Sequence, residues 1–283
     1  MRAVRFRDPQ LFLQRAEPFL LTAEAENNLM LGIGQMRQTF GDDAYLAAVT
    51  EGNHVVACAM RTPPYKAVIT RASGAALECL VEDLADRYPD LPEVLGPEPD
   101  VAVFADLWAA RTGVPSVQGT RQRLFDIREP PRPARWPAGA FRKAEERDLP
   151  IITAWIAAFI AEAVPGDPTD PKTHAIERVA SNTLYLWEDE RPVAMAGWSG
   201  QTRSGVRVNF VYTPPEYRRR GYASACVARL TQQLFLAGRE FCCLYTDLRN
   251  QTANSIYQKI GYRPVCDMSN YVLCGHAVSR GGR

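Results

Sequence analysis

A short basic loop between a strand-like run and a long amphipathic helix is the most informative part of the sequence. The run stops at two prolines, and the loop and the first helical turn follow as Arg218, Arg219, Arg220, Gly221, Tyr222, Ala223 and Ser224. The first turn of a helix has backbone N–H groups without intrahelical acceptors, and the helix dipole is positive there. Because small residues let a ligand approach this backbone, the segment predicts a pyrophosphate-binding site. The arginines taken alone would indicate a solvated basic loop or, less often, a nucleic-acid patch.

Two segments carry a resemblance to a known family. Residues 218–223 read Arg-Arg-Arg-Gly-Tyr-Ala, which is similar to the Arg/Gln-x-x-Gly-x-Gly/Ala signature of the GNAT acetyltransferase superfamily. Residues 247–262 resemble the second signature of that family, an asparagine-containing helix with Tyr257 before a Gly-Tyr pair. With the surrounding order of elements, the resemblance covers residues 141–273. It implies that acetyl-CoA is the co-substrate and that the acetyl group goes to an amine.

The resemblance also implies roles for individual residues. The implied cofactor-binding set is Phe210, Val211, Tyr212, Arg218, Arg219, Arg220, Gly221, Tyr222, Ala223, Ser224, Asn250, Asn254 and Tyr257. The backbone of residues 210–212 would pair with pantetheine, and a backbone N–H near Val211 would polarise the thioester carbonyl. Tyr257 would return a proton to the leaving thiolate, although a tyrosine on an amphipathic helix is ordinarily a core residue. Asn250 is a preferred helix N-cap type, and Asn254 is a candidate contact to pantetheine.

The general base is less well defined by the sequence. Glu162 falls on the same helical face as Trp155 and Phe159, so it is the first candidate to point into an acceptor cleft. Glu188 and Asp189 lie in a segment that the pattern predicts to be a hairpin turn, where charge is normally solvated. A water relay, which needs no single carboxylate, is an alternative.

A proline-rich segment divides the chain. Residues 128–139 contain four prolines, which exclude a helix interior or a central strand. The predicted organisation is a domain over 1–128, a linker over 129–139 and an acetyltransferase domain over 140–283. Each half shows helix-spaced and strand-like runs in a similar order, so we expect α/β (α+β) architecture with two GNAT-like units. Each unit should be a mixed, mostly antiparallel sheet flanked by helices.

The first half lacks the chemistry of the second. After Thr62, Pro63 and Pro64 the chain continues with an apolar run at 67–70, and no Arg-x-x-Gly-x-Gly/Ala segment follows. Trp108 stands near the place that corresponds to Tyr257, and an indole cannot supply an acid proton. We therefore interpret the first half as a degenerate copy, which either walls the acceptor cleft or is purely structural.

Composition limits the remaining possibilities. The net charge of +1, with 46% hydrophobic and 23% charged residues, is typical of a soluble globular protein and gives no overall field for nucleic acid or a membrane. The seven cysteines form no CxxC pair, so neither a metal nor a disulfide framework is expected. The first residues lack the apolar segment of a secretory signal peptide. These features predict a metal-free cytoplasmic protein.

The combined interpretation is an acetyl-CoA-dependent N-acetyltransferase. Direct attack by a primary amine of a small-molecule acceptor in a ternary complex is the expected reaction. The alternatives are a non-catalytic acyl-CoA-binding module and, less favoured, a tRNA-dependent aminoacyl transferase. Four aromatic residues could line the acceptor cleft or fill the core, namely Trp155, Phe159, Trp187 and Trp198. The sequence identifies neither the acceptor nor the oligomeric state.

Overall fold

The computed structural model describes residues 1–35, 40–133 and 135–273. The chain forms two compact units. The first comprises Met1–Gln122 together with the chain from Cys266 on, and the second comprises Arg123–Val265. The domain limits expected from the sequence, 1–128, 129–139 and 140–283, stay a prediction. They differ from the compact units mainly because residues 266–273 pack with the first unit.

The first unit is a mixed sheet with helices on both faces. Its elements in chain order are β1 (Arg2–Phe6), α1 (Pro9–Leu20), α2 (Asn28–Gly34), β2 (Tyr45–Glu51), β3 (His54–Arg61), β4 (Ala67–Ile69), α3 (Gly74–Arg87), β5 (Glu93–Pro97) and α4 (Asp100–Thr112), after which β6 (Val117–Ile127) begins. The sheet order is β1-β2-β3-β4-β5. Only β4 and β5 are parallel, because α3 crosses over between them, and the other neighbours in this order are antiparallel.

Alternation along the strands of the first unit fills two cores. Along β2, Tyr45, Ala47 and Val49 pack with residues of α3 and α4. The intervening Leu46 and Ala48 pack with residues of α1 and α2 on the other face. A strand buried on both faces reads as a nearly unbroken apolar run, which is what the sequence of β2 shows.

The second unit repeats this order of elements. It contains β7 (Ala140–Lys143), α5 (Leu149–Ala163), α6 (Pro171–Ala180), β8 (Leu184–Asp189), β9 (Arg191–Ser199), β10 (Gly205–Tyr212), α7 (Tyr222–Leu236), β11 (Phe241–Asp247), α8 (Gln251–Ile260) and the start of β12 (Arg263–Val272). The sheet order is β6-β11-β10-β9-β8-β7. The strands β7 to β10 form an antiparallel meander, and β10 and β11 are parallel across α7.

Helices cover both faces of the second sheet. On one face Val206 and Val208 of β10 pack with Leu230 of α7. On the other face Tyr212 packs with Trp155 of α5. The strand β10 therefore lies between α7 on one side and the pair α5 and α6 on the other.

The structure confirms the predicted fold class, a mixed and mostly antiparallel sheet flanked by helices. One local prediction is wrong. Glu188 and Asp189 do not lie in a hairpin turn, because β8 extends through Asp189 and β9 resumes at Arg191. Glu190 alone makes the reversal, with a φ of 60°.

No helix within the described ranges is long and apolar enough to cross a membrane. The cytoplasmic location stays a prediction.

Candidate active site

The strand β10 is distorted where the sequence predicts the pantetheine contacts. Its antiparallel register with β9 runs from Arg207 opposite Ser199 to Asn209 opposite Gly197, and it resumes only at Tyr212 opposite Met195. Two residues of β10, Phe210 and Val211, therefore stand opposite one residue of β9. Phe210 takes a positive φ of 48°. This is a β-bulge, which bends the strand and redirects its backbone groups.

Before the bulge, β10 already loses its pairing with its parallel neighbour β11. The two strands are in register at Gly205–Phe241, Val206–Cys242 and Arg207–Cys243. Their pairing ends there, although β10 continues to Tyr212 and β11 to Asp247. The backbone of β10 after Arg207 is therefore not paired with β11, which is the arrangement that an extended ligand uses when it adds to a strand; we refer to this unpaired edge as the slot.

The loop after β10 presents its backbone N–H groups. Arg219 and Gly221 both have left-handed backbones, with φ of 63° and 84°. The helix α7 has no side-chain cap, and its first helical hydrogen bond is from Ala225 N–H to the Gly221 carbonyl, 2.9 Å. In the described part of the chain no hydrogen-bond acceptor faces the N–H groups of residues 219–224. Such a nest at a helix N-terminus is an anion site.

Gly221 has the backbone that the loop needs. A Cβ on Gly221 would meet no atom within 4 Å, so space does not restrict the position. The positive φ of Gly221 restricts the residue type, because most side chains are strained in the left-handed region. Ala223 and Ser224 are half-buried in the first turn of α7, and Arg219 and Arg220 are exposed.

Arg218 and Glu162 form an ion pair. The Arg218 Nη2 lies 3.0 and 2.7 Å from the two Glu162 carboxylate oxygens, and its Nε donates to the Thr213 carbonyl at 2.9 Å. The pair is about half exposed, at 43% and 48% of the side chains, so it contributes at most about 1 kcal/mol. It ties the last turn of α5 to the loop after β10. The Glu162 carboxylate is thus engaged by a cation, and its role as general base stays a prediction.

Tyr222 anchors the start of α7. Its side chain is buried, and its hydroxyl donates to Asp189 Oδ2 at 2.5 Å. That hydrogen bond raises the pKa of the Tyr222 phenol. The residue therefore fixes the helix start against the end of β8, and its backbone N–H remains part of the nest.

Tyr257 lies in the core between α8 and the sheet. Only 8% of it is exposed. Its ring centroid lies 6.4 Å from that of Phe125 and 6.0 Å from that of Tyr262. Burial raises the pKa of the Tyr257 phenol. The phenol consequently keeps its proton at neutral pH, as a proton donor must.

The two asparagines of the second signature have different surroundings. Asn250 caps α8, since its side chain accepts from the Ala253 N–H at 3.0 Å. The Asn254 Nδ2 donates to the carbonyls of Asp247, Leu248 and Asn250 at 3.1, 3.4 and 2.9 Å. These three acceptors fix the orientation of the amide. They leave the Asn254 Oδ1 as the buried atom that needs a donor.

Three buried side-chain oxygens lack a partner within the described ranges, and all belong to the second unit. They are Asn209 Oδ1, Thr213 Oγ1 and Asn254 Oδ1. Two of them flank the bulge, and the third is at the start of α8, which follows β11. Leaving such a group without a hydrogen bond costs roughly 1–3 kcal/mol. Unpartnered acceptors of this kind are suited to a ligand that brings its own hydrogen-bond donors.

The aromatic residues expected near the acceptor separate into two groups. Trp155 and Trp187 are buried in the two cores of the second unit, and Trp198 packs against the α7-side core. Phe159 contacts the bulge, with its ring centroid 5.2 Å from that of Phe210. Of the four, Phe159 is therefore the residue that contacts the bulge and stays a candidate for the proposed acceptor cleft.

The corresponding loop in the first unit carries carboxylate contacts. The loop before α3 has its Ala72 N–H bonded to Asp100 Oδ1 at 3.3 Å. Arg71 of that loop is paired with Glu26 and Asp100, at 3.0 and 3.2 Å. Trp108, at the place of Tyr257, is buried in the core. The start of α3 has no side-chain cap, as at α7, and the loop before it differs in having Asp100 and Glu26 bound to its Ala72 N–H and its Arg71 side chain.

Sequence comparison supports the resemblance in the second unit. Residues 186–272 match the family described as FR47-like protein. This segment contains the bulge, the basic loop and Tyr257. A comparison with curated proteins finds no significant match.

Solved structures resemble the whole chain. A Drosophila protein has a TM-score of 0.68 at 10% identity, covering 96% of this chain and 98% of its own. A GCN5-related N-acetyltransferase from Sphaerobacter thermophilus has a TM-score of 0.63 at 17% identity, covering 95% of each chain. A tandem GNAT protein from the clavulanic acid biosynthesis pathway has a TM-score of 0.56 at 13% identity, covering 95% of this chain and 97% of its own.

The protein thus has the fold of the GNAT acetyltransferases in a tandem arrangement, and the sequence match to an FR47-like domain lies in its second unit. The resemblance to the GNAT superfamily that the two signatures indicated is confirmed.

The unpaired hydroxyl of Thr213 predicts an unusual stability effect. Thr213→Val removes a buried oxygen that has no partner while keeping the shape of the side chain, so the ligand-free protein should gain about 1 kcal/mol of unfolding free energy. Thr231→Val is the matched control. Its hydroxyl lies 2.8 Å from the Tyr262 hydroxyl, and its loss should cost about 1 kcal/mol. Denaturant unfolding of both variants checks the difference, and equal destabilisation would contradict it.

Proposed function

We propose that the protein is an acetyl-CoA-dependent N-acetyltransferase that acetylates a primary amine of a small-molecule acceptor by direct attack in a ternary complex. The observation that carries the proposal is the combination in one unit of a bulged, splayed β10 with an uncapped N-terminus of α7. A backbone nest accommodates a pyrophosphate, and an adjacent slot with unpaired acceptors accommodates an extended amide chain.

Distinct groups of the protein hold the distinct parts of acetyl-CoA in this proposal. The N–H groups of residues 219–224 bind the pyrophosphate, with Arg219 and Arg220 adding positive charge. The backbone of residues 210–212 pairs with pantetheine. The oxygens of Thr213 and Asn254, which have no partner within the protein, accept hydrogen bonds from its donors. Acetyl-CoA supplies the acetyl group as an activated thioester.

The chemical step requires two proton movements. The amine nitrogen forms a bond to the acetyl carbon, the carbon–sulfur bond breaks, and the amine loses a proton while the thiolate gains one. The Val211 N–H stabilises the negative charge that develops on the carbonyl oxygen. Tyr257 gives its proton to the sulfur as the carbon–sulfur bond breaks. Glu162 can take the amine proton only after it leaves Arg218, and otherwise water carries the proton away.

The first unit is proposed as a degenerate copy without a cofactor site. Asp100 and Glu26 engage its loop before α3, which supports this interpretation. Acetyl-CoA should accordingly bind once per chain.

Charge at residue 221 tests the pyrophosphate site. Asn and Asp have the same shape and both tolerate a left-handed backbone, so Gly221→Asn is the matched control for Gly221→Asp. We expect calorimetric titration to show one acetyl-CoA site in the wild type. The Asn variant should bind more weakly, and the Asp variant at least about tenfold more weakly than the Asn variant, because its carboxylate opposes the pyrophosphate. Equal affinities of the two variants would contradict an anion site at this loop.

Removing one hydroxyl tests the proton donor. Tyr257→Phe should lower kcat by about 100-fold or more, the usual range for loss of an acid–base group, with little change in acetyl-CoA affinity. Tyr262→Phe removes a neighbouring buried hydroxyl that lies against Thr231, so it should affect stability and leave turnover near that of the wild type. Unchanged turnover in Tyr257→Phe would remove Tyr257 from the mechanism. Acetyl-CoA binding without turnover of any amine would favour a non-catalytic acyl-CoA-binding module.

A further inference from the structure

A largely buried arginine on α6 lies beside the bulge. The Arg178 Nη1 donates to the Trp198 carbonyl at 2.8 Å, and its Nε donates to His174 Nε2 at 2.9 Å. The guanidinium carbon lies 5.5 Å from the Phe210 ring centroid. The His174 ring is closer still, at 4.9 Å between ring centroids. Phe210 is the bulge residue, so these two side chains border the place where the acetyl group is proposed to lie.

Arg178 lacks an anionic partner. None of the ion pairs found in the described ranges includes it, and the nearest carboxylate on its own helix, Glu177, is 66% exposed. Burial and the charge of Arg207 lower the pKa of Arg178 to about 10, so the group is still a cation at neutral pH. A buried charge is normally paired, because desolvation is costly. The structure therefore contains a cationic position that an anion would stabilise.

His174 cannot serve as a base in this arrangement. Its Nε2 lone pair accepts the Arg178 hydrogen bond, so the neutral ring has its proton on Nδ1. Burial, followed by the charge of Arg178, lowers the pKa of His174, which keeps the ring neutral at pH 7. The residue positions the guanidinium of Arg178.

The neighbouring sheet face carries a complementary acceptor. Arg207 and Asn209 project from β10 toward the side of α5 and α6, because the alternate residues Val206 and Val208 pack with α7. The Asn209 Nδ2 donates to Ser199 Oγ at 2.6 Å. Its Oδ1 is buried without a partner, one residue before the bulge. This face thus offers a cation and a hydrogen-bond acceptor close to β10.

We propose that the acceptor is an amine that also carries a carboxylate, of the amino-acid class. Arg178 binds the carboxylate, and Asn209 Oδ1 accepts a hydrogen bond from the amine. The inference rests on the proposed acetyltransferase function for the meaning of the site, and its binding test is independent of turnover. A simple alkylamine or polyamine would leave Arg178 unpaired and would add a second positive charge beside it.

The test compares each common amino acid with its own carboxamide, which keeps the amine and side chain and removes the negative charge. Binding is measured by calorimetry to wild-type protein, both free and saturated with CoA. At least one amino acid should bind, with its amide roughly 10-fold or more weaker, as expected for loss of a charge-assisted hydrogen bond. Where turnover is detected, kcat/KM should show the same preference.

Substitutions test whether Arg178 causes the preference for the amino acid over its amide. Arg178→Gln should abolish the discrimination between acid and amide while acetyl-CoA affinity stays unchanged, which also shows that the variant is folded. Arg203→Gln removes an equal charge from an exposed loop and should keep the discrimination. His174→Leu should reduce the discrimination, and His174→Gln, which retains an acceptor for Arg178, should restore much of it.

Three results would overturn the inference: no amino acid binds, the amides bind as well as the acids, or Arg178→Gln keeps the preference. Failure of acetyl-CoA binding would instead overturn the proposed function. The two failures are separable because the amino-acid titrations are also made with free protein.

Discussion

The bulge at Phe210 is the feature on which the candidate site depends. One extra residue in β10 interrupts its regular pairing with β9, and past Arg207 the strand is no longer paired with β11. A continuous sheet would pair every backbone group at this place and leave none for a ligand. The bulge also directs the Phe210 ring to the side of α5 and α6, where it meets Phe159 and His174. The irregularity in the β9 register thus lies on the unpaired stretch of β10 and beside the proposed acceptor side.

Two cationic or hydrogen-bond-donating places lie on either side of that slot, the nest at the start of α7 and Arg178 on α6. The nest at the start of α7 has only backbone N–H groups and exposed arginines, and Arg218 is held apart from it by Glu162. On the α6 side, Arg178 is held by a neutral histidine and a carbonyl, without a carboxylate. In the first unit, by contrast, Asp100 accepts from the Ala72 N–H of the equivalent loop, and Asp100 and Glu26 pair with its Arg71. The two units share an order of elements and differ in the loop before the long helix, which is basic with the Arg-x-x-Gly-x-Ala segment in the second unit and carries carboxylate contacts in the first.

Local sequence patterns predicted part of this arrangement. The loop at 218–224, the helix α7 and the asparagine-rich start of α8 were readable because prolines, glycines and caps act on their immediate neighbours. The bulge itself could not be predicted, because phenylalanine is not a residue type that favours a positive φ. The cluster of Arg178, His174 and Asn209 was also missed, because it joins residues of different elements that only the folded sheet brings together. From the sequence alone, a single arginine on a helix such as Arg178 is expected to be exposed to solvent.

Hydrogen exchange of the backbone amides, with and without acetyl-CoA, tests the central claim most directly. The account predicts that saturating acetyl-CoA slows exchange at residues 219–224 and 210–212 and leaves the loop before α3 in the first unit unchanged. Protection confined to other segments, or equal protection of both loops, would contradict a single cofactor site built on the bulged strand and the uncapped start of α7.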